Sequence, residues 1–298
     1  MHVEAAGDDY DQGQGVNPTL VSRMPAQKYH ADPAPQPSLS SSIAQILLNE
    51  SPLKAWYSHP RLNPDYREQH DGKFDLGTSA HAVLLEQDGS RIVVVDADDW
   101  RTKAAKEQRA AARAEGKTAL LSRHHADVME MVNVARAFLQ DCEITEYWNE
   151  ADSEVTEIWQ EGSVYLRCRF DRLSFNHRCV IDYKSTTDAS PDGFSRQITR
   201  MGYHIQEAFY RRGIRALGER DPQFVFLAQS CEPPYECTLH GCDPAMQQIA
   251  DAEVDRAVQT WRVCAQTNRW PSYGGRVHWT MPTNYMIQEH EMNLMEAA

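Results

Sequence analysis

Three residues near the middle of the chain have the types and spacing for metal-assisted chemistry: Asp171, Asp182 and Lys184. They lie in two runs, 163–174 and 178–186, rich in β-branched and aromatic residues and joined through Asn176-His177, which read as a β-hairpin. An even-numbered turn centred between Asn176 and His177 puts Asp171 directly opposite Asp182. Side chains alternate along a strand, so Arg169, Asp171 and Leu173 then share one face with Val180, Asp182 and Lys184. Leu166, Cys168 and Phe170 form the core-facing set with Ile181 and Tyr183. Carboxylates placed directly opposite each other repel unless a cation lies between them. Lys184 supplies one positive charge, and a hard divalent cation such as Mg2+ would supply the rest, since it takes one or two carboxylates together with water and phosphate oxygens. Such an ion beside an ammonium is what metal-assisted hydrolysis of a phosphodiester needs: the ion activates water and the ammonium stabilises developing charge. Asp-x-Lys alone is common, and a surface salt bridge explains most isolated matches. The strand context and the upstream Asp171 set this one apart.

The elements that must position these residues follow from periodicity. Residues 153–160, 163–174 and 178–186 read as an antiparallel three-strand meander turning at Glu161-Gly162 and Asn176-His177. A helix over 193–217, strands near 223–230 and 235–240, and a long helix over 243–267 complete an α/β fold with a mixed sheet flanked by helices. Upstream, Ser38 to Ser42 cap a helix through Ile43, Ile46 and Leu47, and Pro52 starts a short helix through Trp56 and Tyr57. A compact helix over 74–86 carries His81, and an amphipathic one runs from Leu121 to Leu139. Residues 38–150 thus form a helical elaboration ahead of a core at 151–298, within a single domain. The proline-rich residues 1–37 read as a flexible leader. Between Arg101 and Lys117 six basic residues stand against Glu107 and Glu115 in an alanine-rich stretch, an exposed helix that is either a solvated face or an arm for phosphates.

The totals limit the functional classes. With 298 residues, 41% of them hydrophobic, the chain can bury a large core. A formal net charge of -13 excludes a globally basic nucleic-acid binder. Any contact with DNA must be concentrated locally, with cations neutralising some of the acid; an acidic enzyme acting on something else is equally compatible. Seven cysteines, 142, 168, 179, 231, 237, 242 and 264, read as free thiols of a reducing compartment. No apolar run reaches a membrane-spanning length and the first residues are acidic, so the expected address is the cytoplasm, with no membrane association.

Four segments occur in a telling order: Gly77-Thr78-Ser79-Ala80-His81, Arg169-Phe170-Asp171-Arg172, Asp182-Tyr183-Lys184-Ser185-Thr186, and Gln206 with Tyr210. Together they resemble the PD-(D/E)xK nucleases of the RecB type, and most of all the exonuclease VIII (RecE-like) proteins of phages and prophages, over about residues 38 to 285. The resemblance implies a restriction-endonuclease-like core. It implies His81, Asp171 and Asp182 as metal ligands, joined by the Tyr183 carbonyl, and Lys184 as the catalytic lysine. Gln206 and Tyr210, on one helical face, would lie near the DNA; apart from the resemblance, Arg169, two residues before Asp171, is a candidate DNA contact. Glu154 is the candidate for the glutamate these proteins often carry on the first strand, in competition with Glu157 on the opposite face.

The implied activity is a Mg2+-dependent (Mn2+ as substitute) 5′ to 3′ exonuclease on linear double-stranded DNA. It would leave 3′ single-stranded tails for a phage annealing recombinase and would act as a ring-shaped homo-oligomer in the bacterial host. A RecB-like nuclease for single strands or flaps, and a non-catalytic DNA-end-binding protein, remain alternatives. Duller readings also stand: His81 as a core histidine, Gln206 and Tyr210 as a helix edge, and Arg167, Arg169 and Arg172 as neutralising partners for Asp171. The cysteine spacing lacks a C-x-x-C and does not suit an iron–sulfur cluster, so none is expected.

Overall fold

The computed structural model describes residues 18–67, 76–86, 92–115 and 117–296. The expectations for residues 1–17 and for positions 74 and 75 lie outside them. A meander forms the centre. β5 (Ala151–Glu161) and β6 (Val164–Ser174) pair antiparallel from Ala151 opposite Ser174 to Glu161 opposite Val164, and turn at Gly162, whose φ of 58° suits a residue without Cβ. β7 (Cys179–Thr186) follows with Arg172 opposite Ile181 and Leu173 opposite Val180, the register expected from a turn centred between Asn176 and His177. Asp171 and Asp182 are the next positions beyond this short ladder.

β8 (Gln223–Ser230) pairs parallel with all of β7, and β9 (Cys237–His240) closes that edge antiparallel. The parallel pair needs a crossover, supplied by α8 (Pro191–Arg200) and α9 (Tyr203–Ala216). The single helix expected over 193–217 is two, because Gly202 adopts φ 69° between them. Its carbonyl accepts from Gln45 Nε2 at 3.0 Å, and a Cβ there would lie 3.1 Å from the Gln45 side chain. Proline after a capping side chain starts both α8, at Ser190, and α10 (Pro244–Thr267), at Asp243.

Helices cover both faces of the sheet. Ile43 and Leu47 of α2 (Ser41–Asn49), Phe209 and Ile214 of α9, and Val254 and Trp261 of α10 share a core with Leu166, Phe170, Val180 and Phe226. Ala55 of α3 (Pro52–Tyr57) joins them. On the other face, Ala80 and Leu84 of α4 (Leu76–Glu86) and Met131 and Ala135 of α6 (Ser122–Leu139) pack on Ile181, Tyr183 and Leu227, with Trp148 of α7 (Thr145–Asn149). This is a restriction-endonuclease-like mixed sheet flanked by helices, as the sequence suggests.

Three expectations need correction. First, the strand faces divide differently. Leu166, Cys168 and Phe170 share a core with Val180, whereas Ile181 and Tyr183 belong to the opposite one. Phe170 and Leu173 enter the same core although three residues apart, so alternation breaks between them. The break coincides with Glu154, at φ 58°, whose register position on β5 faces Asp171.

Second, residues 18–37 are not a free leader. β1 (Thr19–Val21) pairs with β5, Met24 and Tyr29 are buried, and α1 (Ala26–His30) is followed by Asp32, a buried carboxylate. Asp32 accepts from Ser38 N at 2.9 Å and Ser38 Oγ at 2.6 Å, and lies 3.2 Å from Arg167 and 3.4 Å from His59. Polar pairing, invisible in hydrophobic periodicity, holds this segment.

Third, the elaboration over 38–150 is not purely helical. β2 (Leu39–Ser40) pairs with β6, and α5 (Lys103–Ala114) bridges β3 (Ile92–Val95) and β4 (Thr118–Leu121), a parallel pair separate from the main sheet. Beyond α10, α11 (Asn284–Glu296) is exposed from Asn284 to Met295. No helix of the described residues is long and apolar enough to cross a membrane.

Candidate active site

Four elements deliver the polar side chains to one end of β7. His81 comes from α4, Glu154 from β5, Asp171 from β6, and Asp182 and Lys184 from β7 itself. His81 Nε2 lies 3.2 Å from Asp171 Oδ2, and the same oxygen accepts from the Tyr183 backbone N–H at 2.9 Å. That bond across the open end of the β6–β7 ladder aims the Asp171 carboxylate toward α4. His81, Glu154 and Asp171 each offer a ligand atom, and the three atoms lie within 4.8 Å of one another.

Asp182 is engaged separately. Its Oδ2 lies 2.5 Å from Lys184 Nζ, and its Oδ1 accepts from Gln206 Nε2 at 2.7 Å. The Lys184 ammonium also sits 4.8 Å above the Tyr203 ring, so an anion and an aromatic face fix its position. Gly77, Thr78, His81, Tyr183, Lys184, Ser185 and Tyr203 line an open pocket of about 300 Å³ beside these groups. Tyr203 is the lining residue that sequence reasoning missed. Its signal was its position one turn before Gln206 on the same helix.

Electrostatics divide the acids. Burial pushes Asp182 up, to about 6, and the neighbouring Asp171 adds to the rise while Lys184 opposes it. Asp171 is driven up by burial too, but His81 and Lys184 outweigh that and hold it below the usual carboxylate range. Burial and then Asp171 raise Glu154, against the pull of Arg169. Burial lowers the His81 imidazole, yet Asp171 more than reverses this and brings it to about 9. Free of metal, the cluster at neutral pH therefore has an imidazolium bridging to Asp171; a cation binding there would displace that proton.

The other residues singled out by sequence are placed differently. Arg169, expected at the phosphates, is turned inward: its Nε pairs with Glu154 and its Nη1 donates to the Met24 carbonyl at 2.7 Å. Arg167 is held by Ser38 and Asp32, and Arg172 by Ser153 and the Trp148 carbonyl. Tyr210, expected near DNA, is buried one turn below Gln206, its ring edge-on to Phe170 at 5.4 Å and to Phe224 at 6.1 Å. The helical face it shares with Gln206 lies against the sheet, so only Gln206 reaches the polar cluster. Glu157 is wholly buried 3.9 Å from the Cys168 sulfur, away from the cluster that Glu154 joins. None of the seven cysteines is joined in a disulfide.

The fit to a divalent cation rests on the donor set. One imidazole and two carboxylates converge, one of the carboxylates destabilised in its charged form by the other. These are oxygen- and nitrogen-donor groups suited to Mg2+ or Mn2+.

Comparison with known proteins agrees with the fold. Residues 58–281 match the family described as a PDDEXK-like domain of unknown function (DUF3799). The crystal structure of a candidate exonuclease from Eubacterium rectale superposes with a TM-score of 0.55 at 12% sequence identity, covering 89% of this chain and 98% of that one. No curated protein matches the sequence.

Proposed function

Because this chain belongs to the family of PDDEXK-like domains, we propose that it is a Mg2+-dependent DNA exonuclease, with Mn2+ as a substitute metal. The observation that carries this reading is the convergence of His81, Glu154 and Asp171 within 4.8 Å, next to the Asp182–Lys184 pair at the wall of an open pocket. His81, Glu154, Asp171 and Asp182 would hold the metal, with the Tyr183 carbonyl as a further candidate ligand. When bound, the cation neutralises charge on the scissile phosphate and activates water.

The chain's own groups have distinct tasks. Lys184 presents an ammonium to the pocket, positioned to stabilise negative charge growing on the phosphate. Gln206 and the Tyr183 N–H orient the two aspartates. Arg169 offsets the charge of Glu154 and so supports the ligand set from behind.

The substrate we favour is linear double-stranded DNA, degraded 5′ to 3′ to leave 3′ single-stranded tails for an annealing recombinase. A phage or prophage setting, a homo-oligomeric ring and action in the host cytoplasm belong to the same proposal. It draws its support from the order of the four motifs and from the nuclease fold. The test is nucleotide release from 5′-labelled linear duplex with Mg2+, run beside closed circular duplex, single strands and flaps. We expect release from the linear duplex alone to be fast. Preference for single strands or flaps would replace the proposed substrate, and metal-independent binding without release would make the protein a DNA-end binder.

A further inference from the structure

We infer that α5 is a docking surface for the phosphodiester backbone of the duplex outside the pocket. The inference rests on the nuclease reading and deepens it by locating the substrate beyond the scissile bond. A pocket of about 300 Å³ is small even for a ligand site, so most of a bound duplex must lie on the outer surface. With a net charge of -13, most of that surface repels DNA. Residues 101–117 depart from that average, with six basic against two acidic residues, net +4, behind Asp96, Asp98 and Asp99.

The geometry suits an exposed arm. Ala105 and Ala112 bury one edge of α5, while Lys103, Lys106 and Glu107 stand in solvent. Lys106 and Arg109, three apart, share a face, and the Arg109 guanidinium is propped 4.8 Å over the Trp100 ring. Ion pairs of this stretch, such as Arg101 with Asp99 at 3.4 Å, Lys103 with Glu107 at 3.8 Å and Lys117 with Glu115 at 2.9 Å, are between side chains open to water, and such pairs give way readily to a phosphate. The unit is also on the correct side of the sheet. β4, next to α5, contributes Leu120 to the core that holds Ala80 of α4 and Tyr183 of β7, the core beneath the face from which His81 enters the site. A 12-residue helix is about 18 Å long, enough to follow several phosphates.

The test is Lys106→Glu/Arg109→Glu in the full chain, with Arg269→Glu/Arg276→Glu as a control carrying the same change of net charge on other exposed residues. Binding to linear duplex is measured across salt concentrations in Ca2+, and cleavage in Mg2+; circular dichroism verifies the fold. We expect the α5 variant to bind at least about tenfold more weakly at moderate salt, and its log–log salt slope to shrink by about two. Turnover at saturating DNA should stay unchanged, and the control should keep the wild-type slope. An unaltered slope in the α5 variant, or equal weakening in the control, would overturn the docking surface while wild-type cleavage leaves the nuclease reading standing. A wild type that neither binds nor cuts DNA would remove both.

Discussion

Glu154 and Asp171 face each other across β5 and β6 at the one place where both strands leave regular alternation, and both turn their carboxylates toward His81. A non-glycine residue at φ 58° costs about 1–3 kcal/mol, and a second half-buried carboxylate beside it adds repulsion. Both costs are localised where a cation would relieve them. The positive φ and the paired carboxylates coincide at this position of the sheet, as the proposed metal site requires.

The two acids should respond oppositely to neutralisation. Glu154 has a raised pKa through burial and Asp171, so its charge opposes folding at pH values above the usual carboxylate range. Glu154→Gln should stabilise the metal-free protein by about 1 kcal/mol at pH 7. Asp171 is held low by His81 and Lys184 despite burial, so Asp171→Asn should destabilise it by a similar amount, an advantage of the carboxylate that fades as pH falls through its folded-state pKa. Urea denaturation of both variants in chelator measures the signs; equal signs would refute this division of charge.

Lys184→Ala should abolish cleavage and also weaken the fold. Lys184 Nζ is 2.5 Å from Asp182, whose side chain is 1% exposed, so the variant leaves a buried carboxylate held by Gln206 Nε2. Asp182 has a pKa raised to about 6, and losing the ammonium raises it further. The penalty should reach about 1–3 kcal/mol at pH 8 and shrink at pH 5, where the carboxyl is protonated. Full cleavage by this variant would contradict the site.

Glu157 supplies a stability prediction remote from catalysis. Burial among Cys168, Trp159 and Gly213 raises its pKa to about 8, with the Cys168 thiol opposing weakly. The folded state thus holds a proton that the unfolded chain releases above the usual carboxylate range, so stability falls as pH rises from about 5 to about 8. Glu157→Gln should remove that decline and gain about 4 kcal/mol at pH 8, with no change at pH 4. Thermal unfolding across pH tests it, and parallel curves for variant and wild type would refute it.

Arg169→Gln should lower turnover without altering the salt dependence of DNA binding. Its guanidinium faces Glu154 and the Met24 carbonyl, with the side chain 12% exposed, and it has no path to a phosphate. A reduced salt slope in this variant would return Arg169 to the DNA interface.

Much of this site was legible in residue order. The β6–β7 register follows from the parity of the turn at Asn176-His177, and the DxK pair and His81 stand in recognisable motifs. Which face each side chain takes was not legible, because a left-handed residue at Glu154 leaves no glycine or asparagine as a mark. Arg169 and Tyr210 carry polar groups compatible with either a ligand or an interior partner, and only packing decides. The short strands around α5, four residues each, give too few alternations to be read, and Asp32 anchors residues 18–37 by ion pairs that periodicity does not register.

The most direct test of the metal-holding cluster is a Mn2+ titration of the purified protein, wild type beside Glu154→Gln and Asp171→Asn, read by electron paramagnetic resonance at pH 8. We expect one tight site in the wild type and at least about tenfold weaker binding in each variant, since one of few charged ligands is lost. Unchanged Mn2+ affinity in both variants would contradict the assignment of these carboxylates as ligands, and with it the nuclease site built around them.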